Sequence, residues 1–148
     1  MDESKLSIKR YRLKHVFAFS TTILLIFLWY YHLPNTKIKF IGLIISTTGL
    51  LIWWAGKITL SKNWNFGYGK PKIKNLVTNG IYSKIKHPIY LGINITLMGL
   101  MFFYTKIWFI IVGSLIIFYF FRRMYVEDKY LTKKLGKKYI EYKKKTWF

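Results

Sequence analysis

The sequence contains no cysteine and only five acidic residues. Without cysteine there is no disulfide framework, no thiolate nucleophile and no cysteine-ligated zinc. The three histidines, His15, His32 and His87, have no metal-site spacing, so no histidine-based metal centre is expected either. So few acids leave twenty-five lysines and arginines largely unopposed, giving a net charge of +20. What is abundant is apolar: 53% of the residues are hydrophobic and 20% aromatic. A soluble chain of 148 residues could not hide that surface behind so little acid. The conflict disappears if the apolar residues lie in lipid and the charges are collected outside it.

They are so collected. Four apolar stretches, at about 16–33, 40–60, 89–104 and 107–121, alternate with lysine-rich ones. At ~1.5 Å per residue the first two approach the ~30 Å of a hydrocarbon core. The last two are shorter, separated only by Thr105 and Lys106, and should form a tight helical hairpin. The first stretch is too long for a signal peptide core and is followed by Pro34 without a small-residue cleavage site, so it reads as a retained helix. Trp53 and Trp54 near the end of the second suit an interface, and Lys57 beside them can snorkel outwards. The N-terminal arm, the link 61–87 and the tail 122–145 carry most of the lysines and arginines. The positive-inside rule places all three, and hence both termini, in the cytoplasm. Anionic lipid headgroups at these basic segments account for the charge, and no nucleic-acid partner is expected. Abundant lysine with little arginine also fits an AT-rich genome, pointing to a bacterial or archaeal cell membrane.

The expected architecture is therefore all-α and polytopic: about four transmembrane helices in one domain over 1–148, with a helical hairpin and a cytosolic helical tail. The link is rich in Gly, Pro and Asn and reads as a loop. The tail should continue the fourth helix and, after Gly136, place a second short helix on the membrane surface.

Two constellations could carry chemistry. Glu127 and Asp128 stand side by side just past the last apolar stretch, where a paired acid would suit a cationic ligand. Arg123 is one helical turn before Glu127 and shares its face; as a mere surface ion pair the two would contribute only ~0.3–0.5 kcal/mol. The other is Leu76-Val77-Thr78-Asn79-Gly80-Ile81-Tyr82 followed by Lys86-His87-Pro88-Ile89-Tyr90-Leu91-Gly92. There Pro88 is placed to start a helix, and His87 stands where loop meets helix. On residue chemistry alone, His87 could equally be an interfacial side chain.

The stretch 76–92 resembles a signature of the isoprenylcysteine carboxyl methyltransferase family and its phospholipid methyltransferase relatives, L-V-T-x-G-x-Y and then R-H-P-x-Y-x-G. The tail resembles the family's second signature, an acidic pair followed by L-x-x-x-F-G-x-x-Y-x-x-Y, here Glu127-Asp128, Leu131, Leu135-Gly136, Tyr139 and Tyr142. Together they place the motifs in the half 62–148. The resemblance implies a membrane-embedded methyltransferase that uses S-adenosylmethionine and a lipophilic acceptor drawn from the bilayer. It implies a cofactor pocket of Lys74, Asn75, Leu76, Val77, Tyr82, His87, Pro88, Ile89, Tyr90 and Glu127, with Arg123 positioning the acceptor. A carboxylate acceptor of the isoprenylcysteine type suits Arg123 better than a phospholipid amine does. A membrane reductase using NADPH, or a basic adaptor without activity, are the competing readings. Three positions depart from the pattern. Lys86 stands for arginine, without its bidentate fork. Asp128 stands for a second glutamate, so a contact needing that length would be lost. Leu135 stands for phenylalanine.

Overall fold

The computed structural model describes residues 35–60 and 76–147, together with Ile23. The first apolar stretch, most of the link 61–87, and Lys74 and Asn75 lie outside the described residues. The unit Thr36–Phe148 is compact, and all its described elements are helical: α1, Lys37–Leu60; a 3-10 turn, Gly80–Ser83; α2, Pro88–Tyr104; α3, Ile107–Leu135; and α4, Lys137–Lys144.

Each boundary has a local cause. Thr36 caps α1: its hydroxyl accepts from the Lys39 amide at 3.4 Å. Pro88 opens α2, where its missing N–H costs nothing and its fixed φ is already helical. Thr105 closes α2 in the left-handed conformation, φ 47°, with its N–H on the Met101 carbonyl. α3 then starts at Ile107, so Thr105 and Lys106 make the tight hairpin that the sequence predicts. Gly136, at φ 55°, ends α3 and turns the chain into α4.

α1 and α2 pack backbone to backbone along a seam of small residues. Gly42, Gly49 and Gly56 recur every seven residues on α1, opposite Gly92 and Gly99 of α2. A Cβ at Gly42 would stand 2.6 Å from the Gly99 carbonyl, and one at Gly92 would stand 2.5 Å from the Trp53 amide. Ser46, fully buried, and Thr96 complete the seam. In lipid there is no hydrophobic drive between helices, so close approach and dispersion must hold them together. Away from the seam the helices are apolar and bare: Ile107, Trp108, Leu115 and Phe118 are each more than 60% exposed. Such a surface is stable in hydrocarbon and not in water. α1 and α3 are long and apolar enough to span a membrane, and α2 is a shorter apolar helix.

α3 has 29 residues and is about 44 Å long, so it outruns the ~30 Å apolar layer. Its last turns bear Arg123, Glu127 and Asp128 beyond the apolar part, as expected of a helix continuing out of the membrane. Two expectations are revised. Lys57 does not snorkel outwards: it is 3% exposed, its Nζ 5.0 Å from the Trp53 ring centroid and 5.6 Å from that of Trp54. Trp53 and Lys57 are one turn apart on the same face, and the indoles hold the ammonium by cation–π attraction. α4 gives its aromatic face to protein: Tyr139 and Tyr142 are buried and pack with Leu131 of α3, against Leu76.

Candidate functional site

At the end of the unit where α1 finishes, α2 begins and α3 passes out of its apolar part, four segments converge. Gly56 of α1 lies against Pro88 and Ile89 at the start of α2. The 3-10 turn is fixed to α4, because the Tyr142 hydroxyl donates to the Tyr82 carbonyl at 2.8 Å. The chain end is tied down too: the Trp147 amide donates to the Lys84 carbonyl at 3.0 Å.

The centre of this arrangement is Asp128. Its Oδ1 lies 2.8 Å from His87 Nε2 and accepts from the Tyr139 hydroxyl. Its Oδ2 meets Lys143 Nζ at 2.8 Å and Lys86 Nζ at 3.2 Å. One carboxylate thus joins the residues just before α2, α3 and α4. Burial by itself would raise the Asp128 pKa, but the hydrogen bonds from His87, Lys143 and Tyr139 outweigh it and hold the carboxyl well below its usual range. At aspartate's length the carboxylate reaches all four of these partners. The shorter acid is matched by Lys86, so two of the three departures from the family pattern meet in one ion pair.

Glu127 has a different partner. The Tyr90 hydroxyl donates to its Oε2 at 2.7 Å, joining the first motif to the second across α2 and α3. Tyr90 also stacks obliquely on Phe120, ring centroids 5.9 Å apart. The Arg123 guanidinium acts on the same hydroxyl with the opposite sign to Glu127, so one phenol feels both a cation and an anion. Tyr82 is buried close by, and burial followed by the Glu127 charge pushes its pKa up. Tyr142 is pushed up to about 12 by burial and then by the Asp128 charge. Tyr139 is raised by burial and by its bond to Asp128. All three phenols stay protonated donors at neutral pH.

The expected site residues therefore divide. Tyr82, His87, Tyr90, Arg123 and Glu127 come together at one end of the unit. Leu76 packs into the Leu131–Tyr139–Tyr142 cluster, Val77 is half-buried next to it, and Pro88 and Ile89 lie against Gly56. Lys143 and Tyr139 were missed as site residues. Tyr139 stands within the second motif, so a signal existed; Lys143 is one lysine among many, and nothing local distinguishes it. Chemically, the site offers a held carboxylate for a cation, a neighbouring guanidinium for an anion, and several neutral phenol donors. Among the described residues no group of His, Asp and Glu could hold a metal ion.

The chain is similar to the protein-S-isoprenylcysteine O-methyltransferase of Dictyostelium discoideum, with 29% identity over 158 aligned positions and 97% of this chain covered. It spans 65% of the length of that relative. Residues 38–138, which include the first motif, the second as far as Gly136, and the described helices up to the start of α4, match the pattern of the phospholipid methyltransferases. The chain belongs to the phospholipid methyltransferase family.

Proposed function

We propose that this chain is a membrane-embedded, S-adenosylmethionine-dependent methyltransferase acting on a lipophilic carboxylate. The observation that carries the reading is the Tyr90–Glu127 bond, which joins the two motifs at the rim of the apolar layer beside Arg123. Glu127 and Asp128 both stand at this point, within a molecule of net charge +20. A carboxylate kept amid so many cations suits a cationic ligand, and this donor set is compatible with S-adenosylmethionine. Glu127, Tyr82, Tyr90 and His87 are the residues that would hold it. Bound there, it supplies a methyl group already activated on a sulfonium.

The chain's own residues then have little covalent work. A carboxylate acceptor is ionised at neutral pH and needs no general base. Arg123 draws that anion to the site and sets its approach, and alignment of this kind can supply ~7–11 kcal/mol of the barrier. Glu127, fixed by Tyr90, favours the cationic form of the donor. Asp128 holds α4 against the turn and α2, where it excludes water from one side. A phospholipid amine would place a second cation beside Arg123, which disfavours it. The lysine-rich end of the unit is assigned to the cytoplasm, with the cofactor entering from there and the acceptor from the bilayer.

Thermal stabilisation in detergent micelles tests the reading. S-adenosylhomocysteine at a hundredfold excess over its Kd should stabilise the protein by ~2.7 kcal/mol, and NADPH should not. Stabilisation by NADPH alone would make the chain a reductase and overturn the proposal. Incubation of membranes with methyl-labelled cofactor, followed by mass spectrometry of the lipid extract, identifies the acceptor.

A further inference from the structure

Trp147 is 82% exposed, more than any other described large apolar side chain. It is nevertheless held in place: its backbone N–H donates to the Lys84 carbonyl at 3.0 Å, and Lys84 closes the 3-10 turn. Two further ties bring this end of α4 to the same turn. The Tyr142 hydroxyl donates to the Tyr82 carbonyl, and Lys143 meets the Asp128 carboxylate that also holds His87. The turn itself stands close to the apolar layer. Lys84 is four residues before Pro88, at most ~14 Å of extended chain. Pro88 packs on Gly56, which lies four residues, or ~6 Å of rise, inside the end of the apolar α1. Lys84 thus stands no more than ~8 Å beyond that end, and the headgroup region is about 5–7 Å deep on each side of the hydrocarbon. Trp147 is therefore carried at the rim of the bilayer, on the side of the candidate site.

One exposed apolar side chain on an aqueous surface would carry no message. This one differs in its surroundings. An indole is favoured where hydrocarbon meets headgroups, because its ring is apolar and its N–H still donates. Lys84, Lys144 and Lys145 are exposed around its attachment. Along α4 the outward face carries Lys137, Ile140, Glu141 and Lys144, since Tyr139 and Tyr142 turn inward. Glu141 is the only acid on that face among the described residues, and the three lysines at the Trp147 end outnumber it. A basic end with an apolar ring at its edge is complementary to an anionic lipid surface.

We propose that Trp147 and the lysines beside it anchor the C-terminal end of α4 to the membrane surface. The indole enters the boundary between headgroups and acyl chains, and Lys84, Lys144 and Lys145 meet the phosphates of anionic lipids. This differs from the surface helix that the sequence suggests. Such a helix would lay its tyrosines on lipid, whereas here Tyr139 and Tyr142 pack on protein and the lipid contact passes to the helix end. Because Trp147 is bonded to the turn that carries Tyr82, lipid contact presses α4 onto the candidate site, and anionic lipid controls how firmly it is docked. The inference stands on the position of α4 and does not depend on methyl transfer.

The test uses the full chain in lipid nanodiscs of phosphatidylcholine, alone or mixed with phosphatidylglycerol. Because the chain has no cysteine, Trp147→Cys and Lys134→Cys each give one site for a nitroxide label. The label at 147 should meet dissolved oxygen more readily than a water-soluble nickel chelate. The label at 134, ~20 Å of helix rise past Phe121, should show the opposite. Hydrogen exchange across α4 in the unlabelled protein then reads what the anchor does. Each lysine near an anionic surface strengthens the attraction about fivefold, so exchange should slow by at least about fivefold when phosphatidylglycerol is present. Trp147→Ser keeps the backbone bond to Lys84 and removes only an exposed ring, so it should fold as the wild type does and lose most of that protection. Lys84→Gln, Lys144→Gln and Lys145→Gln together should abolish the dependence on phosphatidylglycerol. A label at 147 that reads as aqueous overturns the proposal. So does protection indifferent to phosphatidylglycerol or to Trp147→Ser, or a lipid dependence that survives the three lysine changes. Dipolar broadening between labels at 147 would show a second copy seated on the indole, and overturns it too.

Discussion

Replacing Asp128 by asparagine keeps the side chain's shape and removes what its four partners need. The two oxygens divide the work: Oδ1 serves His87 and Tyr139, and Oδ2 serves Lys86 and Lys143. An amide has one acceptor only, so its NH₂ must face either two ammonium groups or the imidazole and a phenol. Facing the lysines, the NH₂ opposes two donors; facing the imidazole and phenol, it can donate to them, but the charge that holds both ammonium groups is gone. Breaking a buried pair by removing one member costs ~3–5 kcal/mol. Lys143 is 37% exposed and Lys86 23%, so solvent screens part of the loss and brings it to or below the lower end of that range. A loss of ~2–3 kcal/mol corresponds to a fall of roughly 4–12 °C in melting temperature for a domain of this size. The assay is thermal unfolding in micelles, paired with limited proteolysis, because α4 loses its two polar ties to α3, through Tyr139 and Lys143, and should become cleavable first. The pH dependence has a definite sign. Asp128 is held below its ordinary value of 3.8, so its stabilisation is complete above about that pH and is lost as the pH falls further. The asparagine variant should lack that acid-side decline. A melting temperature within 1 °C of wild type, or an unchanged acid profile difference, would refute the idea that Asp128 is the clasp.

Glu127→Gln should weaken S-adenosylmethionine binding by ~1–3 kcal/mol in titration calorimetry, with a smaller effect on melting, since Tyr90 retains an oxygen to donate to. Arg123→Ala should raise KM for a carboxylate acceptor while leaving S-adenosylhomocysteine affinity within about twofold, which steady-state kinetics and titration separate. Gly99→Leu should prevent α1 and α2 from docking, because even a Cβ there collides with the Ser46 amide; the readout is loss of monodisperse protein after extraction. Thr105→Gly should stabilise the hairpin by about 0.5–1 kcal/mol, since glycine takes the left-handed conformation without a Cβ penalty.

The sequence by itself determined the helices and the family. Unbroken apolar runs and Pro88 marked α1, α2 and α3 to within a few residues, because hydrogen bonding within a helix is a local property. The two motifs named Tyr82, His87, Tyr90, Arg123 and Glu127, which the fold brings to one end of the unit. The seven-residue recurrence of Gly42, Gly49 and Gly56 was there to be read as a docking seam, but small residues announce closeness without naming a partner. What only the tertiary structure decided is who meets whom. Asp128 is 41 residues from His87 and 15 from Lys143, and no local pattern says that one carboxylate should serve both. Lys57 is buried because two indoles fold over it, and α4 turns inward because Leu76 and Leu131 provide an apolar surface for Tyr139 and Tyr142. Such contacts are made across chain separations that periodicity does not span, so they become visible only once the helices are packed.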